Sequence, residues 1–305
     1  MKHIKLGGST LHVPAIVVGC MRMDELKAAE AETFVQTALD LGANFFDHAD
    51  IYGGGECERI FARAAKLNDD RREKVFLQSK CGIRKGLFDF SKEHILKSVD
   101  GILERLDTDY LDMLLVHRPD ALMEPEEVAE AFDHLLNTGK VRRFGVSNQS
   151  PMQMALLQKF MSQKILANQL QLSITNSGMI RSGINVNMEN ASSVDHDGEV
   201  LNYCRLNDVT IQAWSPFQYG MFEGVFLGNP KFPELNQKID EIAARYGVSN
   251  TTITTAWILR HPANMQMISG TMSTSRLKQI CQACDITLTR EEWYEIYRAA
   301  GNELP

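Results

Sequence analysis

No stretch of this 305-residue chain stays apolar for the ~18 residues that a membrane helix needs. The amino terminus carries Lys2 and His3 but no apolar segment of signal-peptide length. Cysteine is sparse: Cys20, Cys57, Cys81, Cys204, Cys281 and Cys284 show no disulfide framework. Cys281 and Cys284 form a C-x-x-C pair, yet with Leu277 and Ile280 they follow the spacing of one buried helix face, and no second pair accompanies them to hold a metal. These features predict a cytoplasmic protein with reduced thiols and no membrane partner. Excess positive charge is also missing. The net charge of −7 excludes a general nucleic-acid surface but not a local basic pocket for a phosphate. No internal repeat or linker divides the chain, so residues 1–305 are expected to form one domain.

What is present is an alternation of short apolar runs with helical patterns, at an ordinary 44% hydrophobic and 23% charged residues. After a hairpin turning at Gly7-Gly8-Ser9, apolar runs recur at 15–18, 45–47, 75–79, 111–116, 141–146, 165–170, 209–214 and 265–268. A helical pattern follows each, as in the stripe Ile95, Val99, Ile102, Leu103 and Leu106 capped by Ser91. The helix after the first run is predicted over 25–41. The polar stretch 173–198 reads as mostly loop. Such alternation predicts an α/β protein with a parallel sheet. Eight units favour a closed (β/α)8 barrel of the TIM type with a short N-terminal β-hairpin. An open dinucleotide-binding sheet would want G-x-G-x-x-G near the start, and Gly53-Gly54-Gly55 has the wrong spacing.

Three successive runs end in chemistry. Phe45-Phe46 stops at Asp47, and the string Asp47-His48-Ala49-Asp50-Ile51-Tyr52-Gly53 leaves Tyr52 in a loop just beyond. The next two runs end at Ser79-Lys80 and His117-Arg118-Pro119. In a parallel barrel these strand ends share one face, where catalytic groups collect. An ammonium beside a tyrosine lowers its pKa, a carboxylate keeps the lysine charged and aimed, and a neutral histidine can donate to a substrate oxygen. The set suits protonation of an oxygen as it gains charge, and its natural partner is hydride delivery to a carbonyl. These strings, with Gly145-Val146-Ser147-Asn148, resemble the aldo-keto reductase family.

The resemblance implies that Asp47, Tyr52, Lys80 and His117 are catalytic, with Tyr52 as general acid. It also implies NADPH as cofactor, a small-molecule carbonyl substrate and a monomer or weak homo-oligomer. It places the nicotinamide against Ser147, Asn148 and Gln169, with Trp214 stacked on the ring where many relatives have Tyr. Cys20 and Met21 would lie beneath the ring. Ser215, Pro216, Phe217 and the Gly220 loop would cover the pyrophosphate. Gly270-Thr271-Met272-Ser273-Thr274-Ser275-Arg276 resembles the adenosine-phosphate loop, with Arg276 on the 2′-phosphate. Many relatives have Lys at Gly270, and Gln279-Ile280 replaces their Glu-Asn pair beside the adenine. No C-terminal lid is expected, so the pocket should be open. Competing readings are a metal site at Asp47, His48, Asp50 and His117, a Schiff-base lyase using Lys80, and a non-catalytic subunit or structural role. Against the metal, the chain lacks H-x-H on an early strand, and Lys80 would repel a divalent ion.

Overall fold

The computed structural model describes residues 1–305. Eight parallel strands close into a barrel in sequence order. They are β1 (Ile16–Gly19), β2 (Phe45–Asp47), β3 (Phe76–Cys81), β4 (Met113–Val116), β5 (Phe144–Ser147), β6 (Ile165–Gln171), β7 (Thr210–Trp214) and β8 (Gln266–Ser269). Closure comes from β8 pairing with β1, Ile268 opposite Val17. The strands are short, and almost every residue in them is buried, because helices cover the outside while side chains fill the inside.

Around the barrel run α1 (Ala28–Asp40), α2 (Glu56–Ala65), α3 (Lys92–Leu106), α4 (Pro125–Asn137), α5 (Pro151–Phe160), α6 (Gly178–Ile184) and α7 (Val200–Leu206). Then come α8 (Pro233–Tyr246), α9 (Asn250–Leu259), α10 (Thr274–Gln282) and α11 (Arg290–Ala299). Local chemistry sets their ends. Ser91 accepts from the His94 amide at the start of α3, and Ser150 with Gln153 forms a capping box on α5. The α3 stripe of Ile95, Val99, Ile102, Leu103 and Leu106 is buried, each side chain worth roughly 1.5–3 kcal/mol.

The N-terminal hairpin (His3–Lys5 with His12–Pro14) closes the barrel end opposite the site. At its turn, the Gly7 amide donates to Thr210 Oγ1 at 2.7 Å. A Cβ on Gly7 would stand 2.5 Å from the Leu166 carbonyl oxygen, and φ there is +50°, so only glycine fits.

Four segments add to or differ from the sequence expectation. The first helix begins at Ala28, because Lys27 is extended and the Glu30 carboxylate accepts from its amide, while Met23–Glu25 makes a separate 3-10 turn. Residues 173–198 are mostly loop, as expected, but also hold α6 and a turn at Ala191–Ser193 that the sequence reading did not place. Two small hairpins rise on the loops after β3 (Ile83–Arg84 with Leu87–Phe88) and β7 (Gln218–Tyr219 with Gly224–Val225).

Candidate active site

The loop after β2 is stitched along β3. The His48 amide donates to the Gln78 carbonyl at 2.8 Å and the Asp50 amide to the Lys80 carbonyl at 3.0 Å. Tyr52 then opens a 3-10 turn through Gly55. Gly55 has φ +91°, and a Cβ on it would meet Arg105 Cδ at 2.6 Å. The turn can therefore pack against α3 only with glycine there, and this fixes where Tyr52 emerges.

Lys80 lies inside β3 rather than beyond it, and is fully buried. Its ammonium donates to both Asp47 carboxylate oxygens (2.9 and 2.8 Å), to the His48 carbonyl (2.7 Å) and to the Tyr52 hydroxyl (3.3 Å). Burial alone would push the Lys80 pKa down. The Asp47 carboxylate and the Tyr52 oxygen outweigh it and leave the pKa above 10.5, so Lys80 is a cation at pH 7. At Tyr52 burial dominates the other way. It raises the pKa above 10 despite Lys80, so the hydroxyl keeps its proton at neutral pH. The expected lowering by Lys80 is therefore only a partial offset.

His117 sits just past β4, with its amide bonded to the Cys81 carbonyl at 2.9 Å and its ring edge-on to Tyr52 at 6.2 Å. Burial, Lys80 and Arg118 hold its pKa well below 6.5, so the ring is neutral. Its buried Nδ1 has no hydrogen-bond partner. His48 is fully buried against Phe61, and its pKa falls to about 3 through burial and Lys80.

Beneath these residues lies a feature that the sequence reading missed. Gln78 Nε2 donates to Asp47 Oδ1 at 2.5 Å, and Gln169 Nε2 to the same oxygen at 3.2 Å. Gln78 and Gln212 exchange amide bonds at 2.9 and 3.0 Å. Gln212 also donates to Gln266 at 2.9 Å, and Gln266 to the Pro14 carbonyl at 2.7 Å. A ladder of buried amides thus runs from the hairpin to Asp47. Strand alternation carried the signal: Gln78 shares the inward face of β3 with Lys80.

A cavity of about 1010 Å³ opens over this floor. Asp47, Tyr52 and His117 line it, as do Met21, Ser147, Asn148, Gln169, Trp214, Ser215, Pro216, Phe217, Gly270, Thr271 and Arg276. Cys20, Gly220 and Gln279 are not in the lining. Cys20 is wholly buried, the Gly220 carbonyl accepts from Gln171, and the Gln279 carbonyl accepts from Thr252. Gln169 gives its amide nitrogen to Asp47 and Gln212, which leaves its Oε1 without a protein partner. Asn148 accepts from the Trp214 indole at 3.1 Å and donates to Ser147 at 2.8 Å. The Phe222 ring stacks on Trp214 at 5.9 Å, and the Arg118 guanidinium lies 5.6 Å from the Trp214 ring centre. Any further ring stacked on Trp214 must share it with these side chains.

At the far end two helices start at the cavity: α9, with Asn250 and Thr251, and α10, with Ser273 and Arg276. Ser273 caps α10 and pairs with Ser275. Exposed Arg276, hydroxyls and helix amides together are an anion-binding set.

The sequence model of the Aldo/keto reductase family matches residues 15–300. The chain belongs to this family. It is 35% identical to the uncharacterized oxidoreductase YcsN of Bacillus subtilis (strain 168), over all of both chains. It is 32% identical to a 6-dehydroglucose reductase of Agrobacterium fabrum, covering 96% of this chain and 97% of that one. Among solved structures it is similar to the thermostable aldo-keto reductase Tm1743, which was crystallised with the inhibitor epalrestat. That match has a TM-score of 0.77 at 26% identity and covers 98% of this chain and 100% of the other. Membership makes the chain an oxidoreductase of a family that acts on carbonyl compounds with nicotinamide cofactors.

Proposed function

We propose that this aldo-keto reductase reduces aldehydes or ketones to alcohols with NADPH, with Tyr52 as the proton donor. One observation carries the reading: a single buried ammonium, Lys80, joins the Asp47 carboxylate to the Tyr52 hydroxyl on the cavity floor, beside a neutral His117.

The residues present fit the cofactor. The two helix starts and Arg276 offer donors for phosphates. The free Gln169 oxygen and the Ser147 and Asn148 groups suit a carboxamide. NADPH, when bound, supplies the hydride. The protein's share is the proton and its placement. The neutral His117 ring donates a hydrogen bond to the carbonyl oxygen and holds it near Tyr52. As that oxygen gains charge, the Tyr52 hydroxyl gives up its proton. The phenolate left behind is stabilised by Lys80, which Asp47 keeps charged and in place. Burial of Asp47 and Lys80 and partial burial of Tyr52 and His117 strengthen these interactions.

A Schiff-base role suits Lys80 poorly. That chemistry needs a lysine whose pKa is lowered, whereas this one is raised and held by four oxygens. The relative named 6-dehydroglucose reductase makes a sugar aldehyde one substrate to assay. The test is oxidation of NADPH with a panel of aldehydes by the purified chain. Turnover that is abolished in Tyr52→Phe supports the reading. No turnover with any aldehyde, with either NADPH or NADH, overturns it and favours a non-catalytic role.

A further inference from the structure

Arg118 follows His117 at the C-terminal end of β4 and lines the cavity, half-buried. Its guanidinium makes no hydrogen bond or ion pair with the protein and rests near the Trp214 ring, at 5.6 Å. A cation over an aromatic face uses none of its N–H groups, so its five donors stay available. The other charged groups of the cavity have partners or another place. Arg22 donates to the Gly270 carbonyl at 2.8 Å and lies 3.9 Å from Glu25. Asp47 is held by Lys80, and Arg276 stands at the start of α10. Burial pushes the Arg118 pKa down and the Tyr52 oxygen offsets part of that, while no carboxylate lies within ion-pair distance of the guanidinium.

An unpaired, partly desolvated guanidinium next to the oxygen-orienting histidine is matched by an anion, and its planar fork fits a carboxylate bidentately. Met21, Ile51 and Ile83 give the same cavity an apolar wall. We propose that Arg118 recognises a carboxylate on the substrate. The preferred substrates are then aldehydes or ketones that carry a carboxylate a few carbons from the carbonyl, with a short hydrocarbon body between. This assignment rests on the reductase reading. The chemistry is unchanged: hydride adds to the carbonyl carbon, the Tyr52 proton goes to the oxygen, and the carboxylate leaves intact on a hydroxy acid.

The test uses matched pairs with NADPH: 4-oxobutanoate against butanal, and 4-carboxybenzaldehyde against its methyl ester. The quantity read is the acid-to-neutral ratio of kcat/KM, in which any general loss of rate cancels. The wild type should favour the acids by about tenfold to a hundredfold, the range for hydrogen bonds to a charged group. Arg118→Met should bring the ratio near one, mainly through KM of the acids, and Arg118→Lys should keep part of it. Added salt should shrink the wild-type preference while leaving the neutral substrates alone, a readout that needs no variant. Equal kcat/KM for acid and neutral partners in the wild type overturns the assignment, as does an Arg118→Met variant that loses both by the same factor. Good turnover of butanal without acid preference removes the Arg118 assignment alone. Turnover of no member of either pair removes this assignment, and the reductase reading falls with it when no aldehyde of the wider panel is turned over with NADPH or NADH.

Discussion

Removing the Lys80 charge changes three neighbours at once, because Asp47 and Tyr52 are bonded to it and it helps to hold the His117 pKa down. Lys80→Met should raise the Tyr52 pKa further and leave Asp47 buried without its cation. Breaking a buried pair in this way costs about 3–5 kcal/mol of stability. The variant should therefore melt lower and turn over more slowly, and thermal unfolding beside steady-state kinetics reads both. The pH dependence follows from the same groups. His117 titrates well below 6.5, and Tyr52 and Lys80 above 10, so no member of the tetrad with a displaced pKa changes charge between pH 7 and 10. A general acid works only while protonated. The reduction rate should stay level across that window and fall as pH rises through the Tyr52 pKa. A fall centred near pH 7 would contradict this assignment. Asp50 gives a separate, structural pH effect. Burial and the nearby Glu58 raise its pKa from 3.8 to about 6. Between those values the folded state holds a proton that the unfolded chain releases, so this group's contribution to stability falls as pH rises from about 4 to 6. The loss is at most about 3 kcal/mol. His48, with a folded pKa of about 3, works in the opposite direction as pH falls below 6.5. The wild-type curve mixes the two. The difference between Asp50→Asn and wild type in urea unfolding isolates the first, and the variant should gain stability relative to wild type on passing from pH 4 to 7.

At the scale of elements, α10 carries the proposed contact to the cofactor's phosphate. Arg276 lines the cavity at the start of α10 and has no contact with the Lys80–Tyr52 pair, so Arg276→Ala should weaken NADPH more than NADH and leave kcat at saturation nearly unchanged. Fluorescence titration with both cofactors checks this. Unchanged NADPH affinity would remove the 2′-phosphate from Arg276. Elsewhere α9 and α11 are locked by two indoles. Trp257 and Trp293 stack at 4.7 Å, and each indole nitrogen donates to the other's backbone carbonyl, at 3.1 and 3.0 Å. Trp293→Ala should cost about 3–5 kcal/mol, read as a lower denaturation midpoint. The elements that the sequence concealed are small ones. The helix α6 is seven residues long, holds Gly178, Ser182 and Gly183, and buries only Met179 and Ile180. Its propensity is poor, and packing makes it. The two-residue strands of the hairpins after β3 and β7 are too short to show a period.

Over the whole molecule, the barrel was legible because each strand is a short apolar run closed by turn chemistry, and such runs recur eight times. The tetrad was legible because Asp47, Lys80 and His117 fall at or beside the ends of successive strands, with Tyr52 in the loop after the first. The glutamine ladder was not. Buried amides inside a barrel contradict the expectation of an apolar filling, and only their alternation with Leu77, Ile211 and Met267 gave them away. Nor could sequence show that burial outweighs Lys80 at Tyr52, since the sum depends on the closed cavity floor. The account stands on Tyr52 as proton donor, and single-turnover reduction of a reactive aldehyde by wild type and Tyr52→Phe, each saturated with NADPH, tests it most directly. A positioned general acid contributes typically ~10²–10⁴-fold. The variant should bind NADPH as the wild type does and transfer hydride slower by about that factor. Hydride transfer at a near-normal rate in Tyr52→Phe would contradict the account and shift the proton to His117.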